Sequence, residues 1–384
     1  MASRVLARGR AACAWALLAV AIGGCTQNGS GSSAVTVTGK TLTIYLSDAP
    51  TSQPLISRDV LGAEQLAFRQ GQPSFDGFTV QTKVVSGKIS DQARTVIQDK
   101  TAIAYLGEVI PGSSADSLGI TNALDLLQVS PTDNALELTQ ASPVVPGSPD
   151  KYYESKSSYN QTFARLVATS AHEARALVQE MHTLGVTKLY VTNDGGHYGA
   201  AIANAVRQAA AGSISVVGSL SGADGAFYGG SSPPSAARFF NQAAQSNSTI
   251  KLFAPSALDG PSLPANLASA AHNLFVSAPG FLKQNLTPAG SKFVSDFTTA
   301  YGHAPASQAI FGYEAMSAVL AVLHNAGTAA NNRSTVVVDF MSLKNRQSVL
   351  GTYSMSSSGD ISIAPFVFSR IQQGKLVPFA QVQG

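Results

Sequence analysis

The sequence has few charged residues: they make up 12% of its 384 residues, against about 25% in typical soluble domains. It has two cysteines, one tryptophan and no run of lysine or arginine. Two cysteines exclude a disulfide framework. The lack of a basic run, with only 8% aromatic residues, argues against a nucleic-acid or membrane-surface reading of the formal charge of +3. The 45% hydrophobic content excludes disorder, and the length favours two domains.

Residues 1–24 have the pattern of a secretory signal peptide. Three arginines precede a short apolar stretch, Ala11 to Ile22, which is about half of the roughly 20 residues that a membrane span needs. The stretch ends in Ile22-Gly23-Gly24-Cys25, which resembles a bacterial lipobox. That resemblance implies that Cys25 is lipidated and becomes the mature N-terminus. An ordinary signal peptide followed by a chance cysteine is the alternative.

The segment that follows, residues 25–39, is predicted to be a flexible Gly/Ser/Thr linker with a reach of about 20 Å. Removal of the signal peptide takes three arginines away, so Lys plus Arg falls from 25 to 22 and equals the 22 acidic residues. The mature chain is therefore formally neutral, and Cys25 is its single cysteine. We expect an extracytoplasmic protein that is anchored to the cell membrane by lipid.

From Lys40 onward, short β-branched runs alternate with amphipathic stretches. Strands are predicted at 40–47, 78–87, 101–107, 126–131, 186–194, 213–220, 225–230 and 250–256, and helices at 56–71, 89–100, 114–124, 170–185 and 198–212. This alternation is typical of mostly parallel sheets covered on both faces. The pattern recurs on both sides of a break near Ala168, which indicates two similar α/β lobes.

Five segments in order resemble the leucine/isoleucine/valine-binding family, the type 1 periplasmic solute-binding proteins of branched-chain amino acid ABC transporters. They are Leu106–Thr139, Asp194–Ala205, Phe227–Ala243, Leu286–Gly327 and Ser348–Phe379. The fourth, with its Gly-Tyr-Glu-Ala at 312–315, is the most specific. The resemblance spans about Lys40 to Gln383.

The resemblance implies an α/β protein with the type 1 periplasmic-binding-protein fold: two doubly wound parallel-sheet lobes joined by a three-crossing hinge. The expected N-terminal lobe is 40–168 and the C-terminal lobe 169–279; the chain then returns to the first lobe over 280–350 and crosses back over 351–384. The lobes close on a ligand by hinge motion. Ligands of such sheets sit beyond the carboxyl ends of the strands, which independently indicates the loops after Gly107, Val129, Asp194 and Tyr228.

In the first lobe, Ser113 and Ser114 lie at a predicted helix N-terminus, where free N–H groups suit a ligand carboxylate. Simple helix capping is the alternative. Thr132 and Asn134 match the family positions that bind the amino-acid head group, although turn formation also explains Asn134.

In the second lobe, Tyr198 matches a family aromatic residue that lines the cleft. The alternative is that Tyr198 only packs at the start of a helix. Ser170 falls near the first crossing, where an acidic residue is common in the family. Ser231 follows the Tyr-Gly-Gly of the third segment, where bulkier residues are frequent, so the pocket is expected to be roomy.

The family's amino-acid binders often carry an acidic residue at the position of Ser256, where it neutralises the ligand's ammonium. A buried ammonium without a counter-charge is costly. Either Asp259, three residues on, replaces that acid or the ligand lacks an ammonium. Leu55 stands where the first loop often has an aromatic residue, so branched-chain specificity stays open.

One connection is shorter than the family pattern. Only five residues separate the strand predicted at 213–220 from the one that begins near Ala226, whereas a parallel crossover needs a dozen or more. Either a helix is deleted here or these strands pair differently.

The sequence thus predicts a receptor for a branched-chain amino acid or related small polar solute, which docks as a monomer to an ABC permease. A ligand sensor of the same fold with another membrane partner is the alternative. Enzyme activity, cofactor, metal and nucleic acid are not expected: His172-Glu173 lacks the second histidine of a zinc HExxH motif, and no Walker or GxSxG motif occurs.

Overall fold

Fifteen strands and nine α-helices run through residues 35–153 and 159–384, the part of the chain that the computed structural model describes. The strands are β1 Thr41–Asp48, β2 Ser74–Phe75, β3 Phe78–Ser86, β4 Ala102–Leu106, β5 Leu127–Ser130, β6 Phe163–Arg165, β7 Lys188–Asn193, β8 Ser215–Val217, β9 Gly225–Gly229, β10 Lys251–Ala254, β11 Leu274–Pro279, β12 Arg346–Ser348, β13 Gly351–Tyr353, β14 Pro365–Gln372 and β15 Lys375–Gln383. The helices are α1 Pro54–Gln70, α2 Ile89–Gln98, α3 Leu118–Asn122, α4 Ser170–Thr183, α5 His197–Ala210, α6 Pro233–Ser246, α7 Pro288–Tyr301, α8 Ala309–Ala326 and α9 Arg333–Met341. The predicted signal peptide and Cys25 lie outside the described residues.

Two sheets organise these elements. The first has the order β2-β3-β1-β4-β5-β6 and is parallel except for β2. The second has the order β15-β14-β11-β10-β9-β7-β8, in which β14 and β15 are antiparallel and the others parallel. The predicted pair of α/β lobes is therefore confirmed.

The core of the first lobe combines segments that are far apart in sequence. Apolar side chains of β1 and β4 pack with those of α1 and of the late helices α7, α8 and α9. Helices α1 and α8 approach so closely that a Cβ on Gly312 would lie 2.6 Å from the Val60 carbonyl oxygen. Glycine is required there because no other residue leaves room for that backbone.

The helix predicted at 114–124 is broken in two. A 3₁₀ turn covers Ser113–Asp116, and α3 begins only at Leu118. At the break the Ser117 hydroxyl donates to the Ser114 carbonyl at 3.3 Å and accepts from Gln128 Nε2 at 2.8 Å. Serine side chains compete with the backbone for such hydrogen bonds, which explains the interruption.

The short connection between β8 and β9 proves to lack a helix. Both strands pair with β7, one on each side, so they are parallel neighbours of the same strand. The link contains only a 3₁₀ turn at Leu220–Gly222. A short link suffices because β8 is a three-residue strand at the edge of the sheet.

The predicted linker ends earlier than expected. The Val35 carbonyl accepts from Arg333 N at 3.0 Å, and Val37 N donates to Asn331 at 2.7 Å. The Val37 side chain is buried in the core of the first lobe. Its apolar surface explains why residues 35–37 pack against the first lobe.

The chain passes between the sheets after β6, after β11 and before β14. The first and third crossings are joined: Arg165 N donates to Gly359 O at 2.9 Å, and the Arg165 guanidinium pairs with Asp360 at 2.9 Å. No helix within the described ranges is long and apolar enough to span a bilayer.

Candidate functional site

Loops at the carboxyl ends of the strands of the two lobes meet in what we call the interlobe cleft. Gln53, after β1, donates through Nε2 to the carbonyls of Ser256 at 2.9 Å and Asp259 at 2.5 Å, both after β10. Gln308, which precedes α8, donates to the Asp259 carboxylate at 2.8 Å. The lobes are therefore in direct contact beyond the carboxyl ends of their strands, which is where ligands of such sheets bind.

Glu173, in the first turns of α4, is a buried carboxylate at the floor of this cleft. Its Oε1 accepts from the Ser256 amide at 2.6 Å and the Ser277 hydroxyl at 2.5 Å. Its Oε2 accepts from Asn134 Nδ2 at 2.5 Å and the Ser256 hydroxyl at 3.0 Å. Burial raises the pKa of Glu173, and these four donors oppose the rise. The carboxylate thus joins a first-lobe loop to strand β11 and to the turn after β10 of the second lobe.

Asp133 is a second buried carboxylate, in the loop after β5. Its oxygens accept from the backbone amides of Gly112 at 2.6 Å, Ser114 at 2.8 Å and Ala135 at 3.1 Å. Burial raises the pKa of Asp133, and the amide donors lower it. The N–H groups of the 3₁₀ turn are therefore already engaged by the chain's own carboxylate.

A cavity of about 380 Å³ lies between residues of both lobes, and Gly112, whose amide donates to Asp133, is part of its lining. Ser113 and Glu137 line it from the first lobe, and Asp194, Tyr198 and Ser231 from the second. Its size falls within the range of about 300–1,000 Å³ that is usual for small-molecule sites. One buried atom of its lining residues, Glu137 Oε2, has no hydrogen-bond partner among the described residues.

Burial raises the pKa of Glu137 to about 7. The charge of Asp133 adds to the rise, and the positive charges of Arg165 and Lys151 oppose it. An ionisable acceptor that is buried, lines a cavity and lacks a partner is suited to a ligand that brings hydrogen-bond donors.

The structure brings three of the predicted site residues together around Glu173. Asn134 and Ser256 bind it directly, and Ser170 is linked to Asn134 through its amide at 2.6 Å. Asp259 lies beside them, held by Gln53 and Gln308. Each ligand role stays a prediction.

The remaining predicted residues divide into two groups. Ser113, Tyr198 and Ser231 line the cavity. Ser114 and Thr132 serve their own loops: the Ser114 hydroxyl accepts from Glu108 N at 3.2 Å, and the Thr132 hydroxyl donates to Val109 O at 2.5 Å.

Sequence reasoning missed the three carboxylates Asp133, Glu137 and Glu173. A signal for Glu173 was available, because it lies three residues after Ser170 and so on the same helix face. Asp133 stands between the two head-group positions that the sequence singled out. Within the described residues, no cluster of three or more His, Cys, Asp or Glu is arranged to hold a metal ion.

Comparison with known proteins supports this description. Residues 219–375 match the family model described as periplasmic binding protein. No curated protein matches the chain significantly. A leucine-binding protein from Thermotoga maritima superposes with a TM-score of 0.73 at 20% identity, over 89% of this chain and 98% of its own.

Two further structures show the same fold. The branched-chain amino acid transporter substrate-binding protein of Streptococcus pneumoniae, in complex with isoleucine, gives a TM-score of 0.69 at 15% identity, over 90% of this chain and 100% of its own. A solute-binding protein of an ABC transporter from R. palustris, in complex with benzoate, gives a TM-score of 0.66 at 16% identity. The match covers 89% of this chain and 96% of that protein. This chain has the type 1 periplasmic-binding-protein fold. The predicted resemblance to the leucine-binding proteins is thereby confirmed at the level of the fold.

Proposed function

We propose that this chain is an extracytoplasmic solute-binding receptor of an ABC importer, anchored to the cell membrane through Cys25. The observation that carries the proposal is the cavity built from both lobes at the ends of their parallel strands. Two proteins of the same fold were solved in complex with isoleucine and benzoate, which supports the proposal that the ligand is a small polar solute.

The mechanism is capture and closure without covalent chemistry. A solute that enters between the lobes contacts loops from both sheets, so its binding favours the closed arrangement over the open one. Gln53, Gln308 and Asn134 supply protein contacts that exist only when the lobes meet. The closed form is then the one that an ABC permease recognises.

A thermal-shift screen of the full chain in detergent tests this function. A panel of amino acids, amides, amines, small acids and sugars is added, and a ligand at 100 times Kd raises the free energy of unfolding by about 2.7 kcal/mol. A chain that is stabilised by no member of the panel, or that converts a member chemically, contradicts the receptor proposal. Loss of metabolically labelled lipid in C25S tests the anchor separately.

A further inference from the structure

The interlobe cleft contains four carboxyl groups, those of Asp133, Glu137, Glu173 and Asp259. Asp133, Glu137 and Glu173 are buried, at 0% or 1% exposed, and Asp259 is partly buried. None of the ion pairs found among residues 35–153 and 159–384 includes any of them. Arg165, whose charge opposes the raised pKa of Asp133 and Glu137, is itself paired with Asp360.

The hydrogen-bond donors that would bind a ligand carboxylate at this site are already occupied. The amides of Gly112 and Ser114, which the sequence suggested for that role, donate to the Asp133 carboxylate. An incoming carboxylate would have to displace Asp133 or lie beside it. Two like charges side by side in a partly buried site repel each other.

One residue that lines the cavity holds an acceptor without a partner. Glu137 is 1% exposed, and its buried Oε2 has no hydrogen-bond partner in the described part of the chain. A buried acceptor in that state is costly, and a ligand N–H relieves the cost. Asn134 Oδ1, beside Glu173, is also buried without a partner. A ligand with a hydrogen-bond donor therefore suits Glu137, the one of these two residues that lines the cavity.

We infer that, given the receptor function proposed above, the ligand is a compact organic cation, an amine or guanidinium compound whose head group carries no carboxylate, and that Glu137 receives its positive charge. The cation supplies a donor to Glu137 Oε2 and brings a positive charge to carboxyl groups that form no ion pair. An α-amino acid is disfavoured because Asp133 holds the amides that its carboxylate needs.

Titration calorimetry of the full chain in detergent tests the inference with four probes: 1,4-diaminobutane, ethylguanidine, leucine and benzoate. We expect an amine or guanidine probe to bind and leucine and benzoate not to bind. E137Q should weaken the cation about tenfold or more, because it removes a charged hydrogen bond. E180Q is the matched control, since Glu180 is also buried, on α4, but does not line the cavity.

The outcomes separate the two proposals. Tight binding of leucine or benzoate by the wild-type chain overturns the cation inference and leaves the receptor function intact. Equal weakening in E137Q and E180Q, or no binding of any cation probe, also overturns it. If no solute of the wider panel binds, the receptor function itself fails.

A second variant tests the part played by Asp133. D133A frees the amides of Gly112 and Ser114, so we expect leucine to bind D133A and not the wild type. If D133A does not fold, D133N keeps the side chain's size without its charge and should bind the cation probe more weakly than the wild type. Unchanged cation binding in D133N contradicts the inference.

Discussion

Two buried carboxyl groups, Glu108 and Glu137, have a pKa raised to about 7 by burial. For Glu108, hydrogen bonds from Ser47 and Tyr105 oppose the rise without cancelling it. A glutamate with a raised pKa keeps its proton in the folded protein at a pH where the unfolded chain has lost it. Stability therefore falls as the pH rises from about 4.5 to about 7 and levels off above that.

We expect the melting temperature to be higher at pH 5 than at pH 7.5. A rise of about 2.5 pKa units corresponds to roughly 3 kcal/mol for each group at pH 7.5. Glu108→Gln should flatten the profile, because its side chain no longer titrates. D296N is the control, since the pKa of Asp296 is lowered by Lys292 and it titrates below this window. A profile that rises with pH over this range contradicts the pKa assignment.

At the scale of single elements, the turn before β14 depends on one glycine. Gly359 has a φ of 80°, and a Cβ there would collide with the Phe163 carbonyl oxygen of β6. The neighbouring Asp360 accepts from Arg165 and Thr139, so this turn holds the first and third crossings together. A displaced turn would loosen the hinge.

We expect G359A to lower the free energy of unfolding by about 3 kcal/mol or more, from strain and lost hydrogen bonds together. G374A is the matched control: its φ is 74°, but nothing lies within 4 Å of its Cβ position. It carries only the positive-φ penalty of roughly 1–2 kcal/mol. Urea denaturation of both variants measures the difference, and equal losses would show that the close approach contributes nothing.

Most strands and helices were predictable because local patterns determine them. The β-branched run at β1 and the helical spacing of apolar residues in α1 need no knowledge of the rest of the chain. The prediction of one continuous helix at 114–124 is wrong because Gln128, on the adjacent strand, donates a hydrogen bond to the Ser117 hydroxyl at the break. The candidate site was only partly predictable for the same reason: Glu173 meets Ser256 and Ser277 only through packing across 83 and 104 residues of sequence.

At the scale of the whole molecule, side-chain amides and a shared apolar cluster hold the lobes together. Gln53 bridges from the first lobe to two carbonyls of the second, and Leu138 of the first lobe shares a buried apolar cluster with Ile202 of the second. Removing this bridge should shift the equilibrium between closed and open forms with little effect on either core.

We expect Q53A to increase the radius of gyration of the unliganded protein in small-angle scattering and to weaken ligand binding, while the melting temperature changes little. Q70A is the control, because Gln70 donates to Asp296 and accepts from Tyr313 inside the first lobe. An identical scattering profile for Q53A and the wild type would mean that this bridge does not hold the lobes together.

The discontinuous first lobe has a consequence for how the protein is made. Its strands β1 to β6 leave the ribosome before α4, whereas α8, which covers α1, starts 139 residues after the start of α4. At 5–20 residues per second, this delay is roughly 7 to 28 seconds. Until then the apolar faces of Val60 and Leu66 have no partner helix. A nascent chain with this topology cannot complete its first core early, so the first lobe folds only after most of the chain has been made.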